Sequence, residues 1–209
     1  MNLRPKFREI RRTAGVLTAV AALAACSATS GGGGPTYGAG DPKLAVAAPG
    51  ESTIDPFLTD GNAVLRALGA IAAKSGTPLR VTSMNADQVN GLTVDVQEPI
   101  HRVNVDRYVV ALDGTLSGPT PVQLMSMGGS GPVTAKDVDR ETFDPKAVGF
   151  ERLARTAREA IAKSTYSEAR VAQWEFDGPN GRRFMYLQAP RGRPAAVLGP
   201  KLTIESMSF

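Results

Sequence analysis

Residues 63–91, slid forward by ninety positions without a gap, meet residues 153–181, and nine of the 29 pairs are identical. They are Ala67/Ala157, Ala70/Ala160, Ile71/Ile161, Ala72/Ala162, Arg80/Arg170, Val81/Val171, Asp87/Asp177, Asn90/Asn180 and Gly91/Gly181. Unrelated segments of this length would share about two. Alanine inflates the score, but the shared Arg-Val and Asn-Gly steps are not a matter of composition. A duplicated unit constrains the fold strongly, because each copy must bury the same face with the same elements.

Each half supports the same order of elements. In the first, Val64, Leu68, Ile71 and Ala72 recur at helical spacing, which predicts a helix over 63–75 with Asn62 as its N-cap. In the second, Asp144-Pro145 is a cap followed by a proline suited to the first helical position, and predicts a helix over 146–164. Phe150, Leu153, Ala154, Ala157 and Ile161 form its apolar stripe, while Glu151, Arg155, Glu159 and Lys163 follow at i,i+4 on a wet face. Asn-Gly supplies the positive φ of a tight hairpin. It joins "RVTSMNA" to "LTVDVQE" in one half and "RVAQWEF" to "RRFMYLQ" in the other. Further strands are expected at 107–112, 122–125 and 201–206. The expected class is α+β: two tandem helix-plus-antiparallel-hairpin repeats, with helices packed on an antiparallel sheet.

One helix followed by about three antiparallel strands resembles the PepSY type of unit, here in tandem. "AREAIAKS…ARVAQWEF" (157–176) carries most of the likeness, and "VNVDRYVVALDG" (103–114) echoes the ending of that unit. The resemblance implies inhibition or regulation of secreted and cell-envelope proteins.

The first 26 residues indicate where the chain works. Arg4, Lys6, Arg8, Arg11 and Arg12 precede the apolar run "AGVLTAVAALAA", which closes on Cys26, the chain's one cysteine. That run is too short for the roughly 20 apolar residues needed to cross a bilayer, and it has the layout of a signal peptide. Leu23-Ala24-Ala25-Cys26 is similar to the lipobox of bacterial lipoproteins. The resemblance implies cleavage after Ala25, diacylglycerol on the Cys26 thiol, and an extracytoplasmic protein lipid-anchored to the bacterial cell membrane. Arg11-Arg12 leaves both general and twin-arginine export open. Residues 27–50 are rich in Gly, Ala, Ser and Pro and make a flexible tether. The expected organisation is a signal peptide over 1–25, lipidated Cys26 and tether over 26–52, a first repeat with an extra loop over 53–143, and a second over 144–209.

Removing residues 1–25 takes away five basic residues and one acidic. That leaves nineteen of each from the 24 and 20 of the full chain. The high isoelectric point belongs to the signal, which removes the reason to expect nucleic acid. With Cys26 acylated no thiol remains for a disulfide. His101 is the single histidine, too few for a usual zinc site, and no nucleophile elbow accompanies it. "DVDRETFD" (137–144) has Thr142 where a calcium loop needs Gly and Val148 where it needs Glu. No catalytic set, metal site or cofactor motif is read from the chain.

The second hairpin suggests a contact surface. If Ala172, Trp174 and Phe176 face the helix, Phe184 and Tyr186 face it too, as Val94 and Val96 do in the first copy. Val171, Gln173 and Glu175 then share the outer face with Arg183, Met185 and Leu187. The first copy shows Ser83, Asn85, Thr93, Asp95 and Gln97 there. Met185 and Leu187, with Val171 and Arg183, would form an exposed apolar patch able to bind an envelope protein. The expected function is a membrane-anchored, non-catalytic binding or regulatory lipoprotein. The alternatives are a carrier of a lipid or other apolar ligand, and a hydrolase built around His101.

Overall fold

The computed structural model describes residues 55–124, 132–166, 168–179, 181 and 183–209. Cys26, the signal segment, the tether and Asn180 lie outside the described residues. Two helices come first. The Asp55 carboxylate accepts from Phe57 N at 2.9 Å and caps α1 (Pro56–Thr59), with Pro56 at a position that needs no N–H. Asp60 then caps α2 (Gly61–Ser75), accepting from Asn62 N at 2.8 Å. The cap is therefore Asp60, and Asn62 is its donor partner. Gly61 is required here: a Cβ would sit 1.7 Å from the carbonyl oxygen of Phe150.

Four strands follow: β1 (Val81–Asp87), β2 (Gly91–Gln97), β3 (Val105–Val110) and β4 (Leu116–Pro121). A short helix, α3 (Ala135–Glu141), comes next, opened by a capping box between Thr134 and Asp137. The helix expected over 146–164 is broken. Asp144 and Pro145 start a 3₁₀ turn over Pro145–Val148 instead. Gly149 then adopts φ 82°, a second 3₁₀ turn covers Phe150–Arg152, and α4 is confined to Leu153–Lys163. The left-handed glycine interrupts the helical ladder that the apolar stripe suggested. The chain ends with β5 (Arg170–Asp177), β6 (Arg183–Gln188), β7 (Ala195–Leu198) and β8 (Ile204–Ser208).

Among the described residues the strands make one antiparallel sheet in the order β4-β3-β2-β1-β5-β6-β7-β8. The α+β class stands, but four strands follow each helical region where about three were expected. β7 (Ala195–Leu198) lies where no strand was expected, and β4 lies at 116–121 instead of 122–125. The α-β-β-β-β order also departs from the α-β-β-β unit that the sequence resembles.

β1 and β5 meet in the middle of the sheet, with Asn85 opposite Glu175, Met84 opposite Phe176 and Ala86 opposite Trp174. β1 carries an extra residue at Thr82 in its pairing with β2, and β5 carries one at Ala172 in its pairing with β6. Both the facing pair 85/175 and the two bulges are ninety residues apart.

One face of the sheet is covered. Val64, Leu68 and Ile71 of α2, Leu153, Ala157 and Ala160 of α4, and Phe57 and Leu58 of α1 form a single core cluster with the inward residues of both halves. Those residues include Val81, Met84, Ala86, Leu92, Val94, Tyr108, Trp174 and Phe176. Phe150, Trp174 and Phe176 stack at its centre, with ring centroids 4.9–5.8 Å apart. The Trp174 indole N–H donates to Phe57 O at 2.8 Å, so the largest core side chain also holds α1 in place.

Candidate functional site

The expected apolar patch does not form. Val171 is 5% exposed, Met185 0% and Leu187 1%, and all three belong to the core beneath the helices. Arg183 is half-buried at the end of β6, opposite Phe176, and donates to Pro179 O. The reason is a one-residue difference between the hairpins. Residues 87–91 separate the pair Ala86–Leu92, whereas residues 177–182 separate the pair Phe176–Arg183. The extra residue slides β6 by one position, and a slip of one turns every side chain to the other face. Trp174 therefore opposes Met185, as Met84 opposes Val94. The bulge at Ala172 has the same effect on β5 and turns Val171 inward beside Trp174, leaving Ala172 half-buried.

Phe184 and Tyr186 are consequently on the opposite face, away from α1, α2 and α4. Their rings lie side by side with centroids 5.7 Å apart, and both are half-buried. The strand register sets a row of neighbours across the sheet: Val109, Thr93, Asn85, Glu175, Phe184, Val197 and Ser206. The Tyr186 hydroxyl donates to Glu175 Oε1 at 2.7 Å. Next to it, Gln173 Nε2 donates to Asn85 Oδ1 at 2.9 Å, and Asn85 Nδ2 donates to Asp87 Oδ2 at 3.2 Å. Asp87 also accepts from the backbone of Val89 and Asn90, which fixes the turn leading to Gly91 at φ 77°. Burial pushes the Asp87 carboxyl up, but the hydrogen bonds from Asn90, Val89 and Asn85 prevail and hold it below its ordinary range.

A second row crosses β3, β2 and β1. Arg107 grips Asp95 with two parallel bonds, Nε to Oδ1 at 2.7 Å and Nη2 to Oδ2 at 2.8 Å. Ser83 Oγ adds a third at 3.0 Å. Asp95 is buried although it points to the outer face, and this pairing is what makes its burial tolerable. Ser83, Asn85, Thr93, Asp95, Gln173 and Glu175 thus lie on the face expected of them. Gln97 does as well, but α3 covers it: its amide donates to Asp139 Oδ1 and Arg102 O, and it is 2% exposed.

The carboxylates of 137–144 have structural partners. Asp137 closes the capping box of α3, Asp144 caps the first 3₁₀ turn, and Asp139 takes Gln97 and Arg102. The bonds from Gln97 and Arg102 hold the Asp139 carboxyl below its usual range. His101 lies in the β2–β3 loop, two-thirds exposed, with Nδ1 2.7 Å from Glu98 Oε1. Asn104 holds the other Glu98 oxygen at 2.9 Å, so the carboxylate closes its own loop. No group of three or more His, Cys, Asp or Glu able to hold a metal occurs among the described residues.

The sequence reading missed the aromatic pair because both alternating sets on β6, Met185/Leu187 and Phe184/Tyr186, are apolar. Alternation could not choose between them without the register.

No protein-family model matches the chain, and no curated protein matches it. The structure is similar to a crystal structure from Clostridium difficile 630 described as a "putative lipoprotein", at 12% sequence identity and a TM-score of 0.49. The match covers 75% of this chain and 96% of that one. No helix among the described residues is long and apolar enough to cross a membrane.

Proposed function

We propose that this chain is a lipoprotein held to the outer side of the bacterial cell membrane through Cys26. In this reading it acts as a non-catalytic binding or regulatory module, and the β5–β6 part of the sheet face opposite α1, α2 and α4 is the contact surface for an envelope protein. The address rests on the signal layout, the lipobox-like Leu23-Ala24-Ala25-Cys26 and the Gly-rich tether. The observation that carries the contact surface is the aromatic pair Phe184/Tyr186, placed on the face opposite α1, α2 and α4 beside mutually bonded polar side chains. Aromatic residues set in fixed polar surroundings are the usual composition of interface centres. The opposite face is taken up by the core.

We also infer that the two halves descend from one duplicated unit, with residues 26–52 as tether and the boundary near 143/144. The facing pair Asn85/Glu175 and the bulges at Thr82 and Ala172 support it, each matched at an offset of ninety.

The test has two arms. Intact-mass analysis of protein extracted from membranes of the native host should show residues 1–25 absent and acyl chains on Cys26; an unlipidated full-length chain refutes the address. For the surface, a photo-crosslinking residue is placed at Phe184 or Tyr186, and at exposed Ala162 of α4 as control. A discrete adduct from the sheet positions and none from position 162 supports the reading. Adducts from position 162 alone overturn it.

A further inference from the structure

The open face carries an unbalanced charge at its centre. Among the carboxylates on that face, Asp95 is neutralised by Arg107, and Asp87 is absorbed by the amides of its own turn. Asp177 lies one row away, opposite Ser83, and has interactions of its own. Glu175 differs. It sits on a central strand between Asn85 and Phe184, half-buried, and no Lys, Arg or His nitrogen of the described residues lies within 4 Å of it. Tyr186 binds one oxygen, and no hydrogen bond among the described residues takes up the other. Phe184 is its cross-strand neighbour on β6, and the Phe184 and Tyr186 rings have centroids 5.7 Å apart.

We propose that Glu175, Phe184 and Tyr186 form a receptor for a single cationic side chain, an arginine or lysine presented by the protein partner. This rests on the open-face reading above and specifies its chemistry. A guanidinium or ammonium laid over the two rings gains from their negative π-faces and places an N–H within reach of the free Glu175 oxygen. Arginine is the better fit, because its planar group stacks on a ring while pairing edge-on with a carboxylate. Gln173 and Asn85 have committed one donor and one acceptor to each other, so the surroundings are polar and held in place. Among the described residues no cation balances Glu175, and in this proposal the partner supplies it. The same carboxylate would repel a partner that offered an acidic residue there.

The experiment uses the mature chain, residues 26–209 with Cys26→Ser, and the probe is a blocked hexa-arginine peptide, with hexa-glutamate as its counterpart. Backbone amide shifts are followed during titration at low and at physiological salt. The expected result is that hexa-arginine shifts the amides around 173–175 and 184–186, more strongly at low salt, and that hexa-glutamate does not. Glu175→Gln should weaken binding at least fivefold, and Phe184→Leu should weaken it by a similar factor. Glu205→Gln, an exposed acid on β8, should change it less than twofold. Equal affinity of wild type and Glu175→Gln, or shifts that map elsewhere, overturns the proposal. A partner adduct at position 184 that survives Glu175→Arg also overturns it, while leaving the open-face reading intact. Absence of any adduct at 184 and 186 counts against that reading itself.

Discussion

At the scale of single residues, Asp55 is a carboxyl held against its preference for water. Its Oδ1 caps α1, but Oδ2 is buried without a partner among the described residues, and Asp87 adds like charge. Burial comes first among the causes that raise its carboxyl from 3.8 to about 6. A carboxyl whose folded value is raised binds its proton more tightly in the native state. Its contribution to stability is therefore fully present below pH 3.8 and is lost as pH rises through about 6. Asp55→Asn keeps the cap oxygen and removes the charge. It should raise the melting temperature at pH 7–8 by a few degrees, and it should flatten the decline in stability between pH 4 and 7. Thermal melts of both proteins across that range check this, and an unchanged pH profile would contradict it. The tolerated counterpart is Asp95, equally buried but given Arg107 and Ser83.

Among the elements, α1 is too short to hold itself in place. Four residues make barely one turn, and isolated helices of this length do not persist in water. Phe57 and Leu58 anchor it in the core, and the Trp174 indole bonds to its Phe57 carbonyl. Trp174→Phe preserves an aromatic ring but leaves that buried acceptor unmet, a loss of about 1–3 kcal/mol. Hydrogen exchange should then quicken at residues 57–60 well before it does in β1 and β2. Uniform acceleration across the sheet would show instead that Trp174 stabilises the fold without any special hold on α1. The hairpins illustrate a second lesson of this scale. The two hairpin sequences share Asp, Asn and Gly at an offset of ninety, yet one extra residue before β6 decides which side chains reach the core.

For the whole molecule, the decisive feature is the seam between β1 and β5. It makes one sheet from two halves, and the core cluster runs through both without a break. Unfolding should accordingly be one cooperative transition, with far-ultraviolet dichroism and Trp174 fluorescence giving the same midpoint in urea. Two separated transitions would mean that the halves are independently stable. The class of fold, the helix–hairpin order and the polar outer face of the first hairpin were legible in the residues. Each depends on local chemistry: the spacing of apolar side chains, the alternation along β2 and the αL preference of Gly at 91. The break at Gly149, the strand β7 and the facing of Met185 and Phe184 were not. Helical periodicity passes through a left-handed glycine unnoticed, and "AAVL" has no alternation to declare it a strand. On β6 both faces are apolar, so only pairing with β5 could settle which one is buried. That pairing turned the expected contact residues into core and put Phe184, Tyr186 and Glu175 on the open face, because strand register is a relation between distant segments that neither one contains alone.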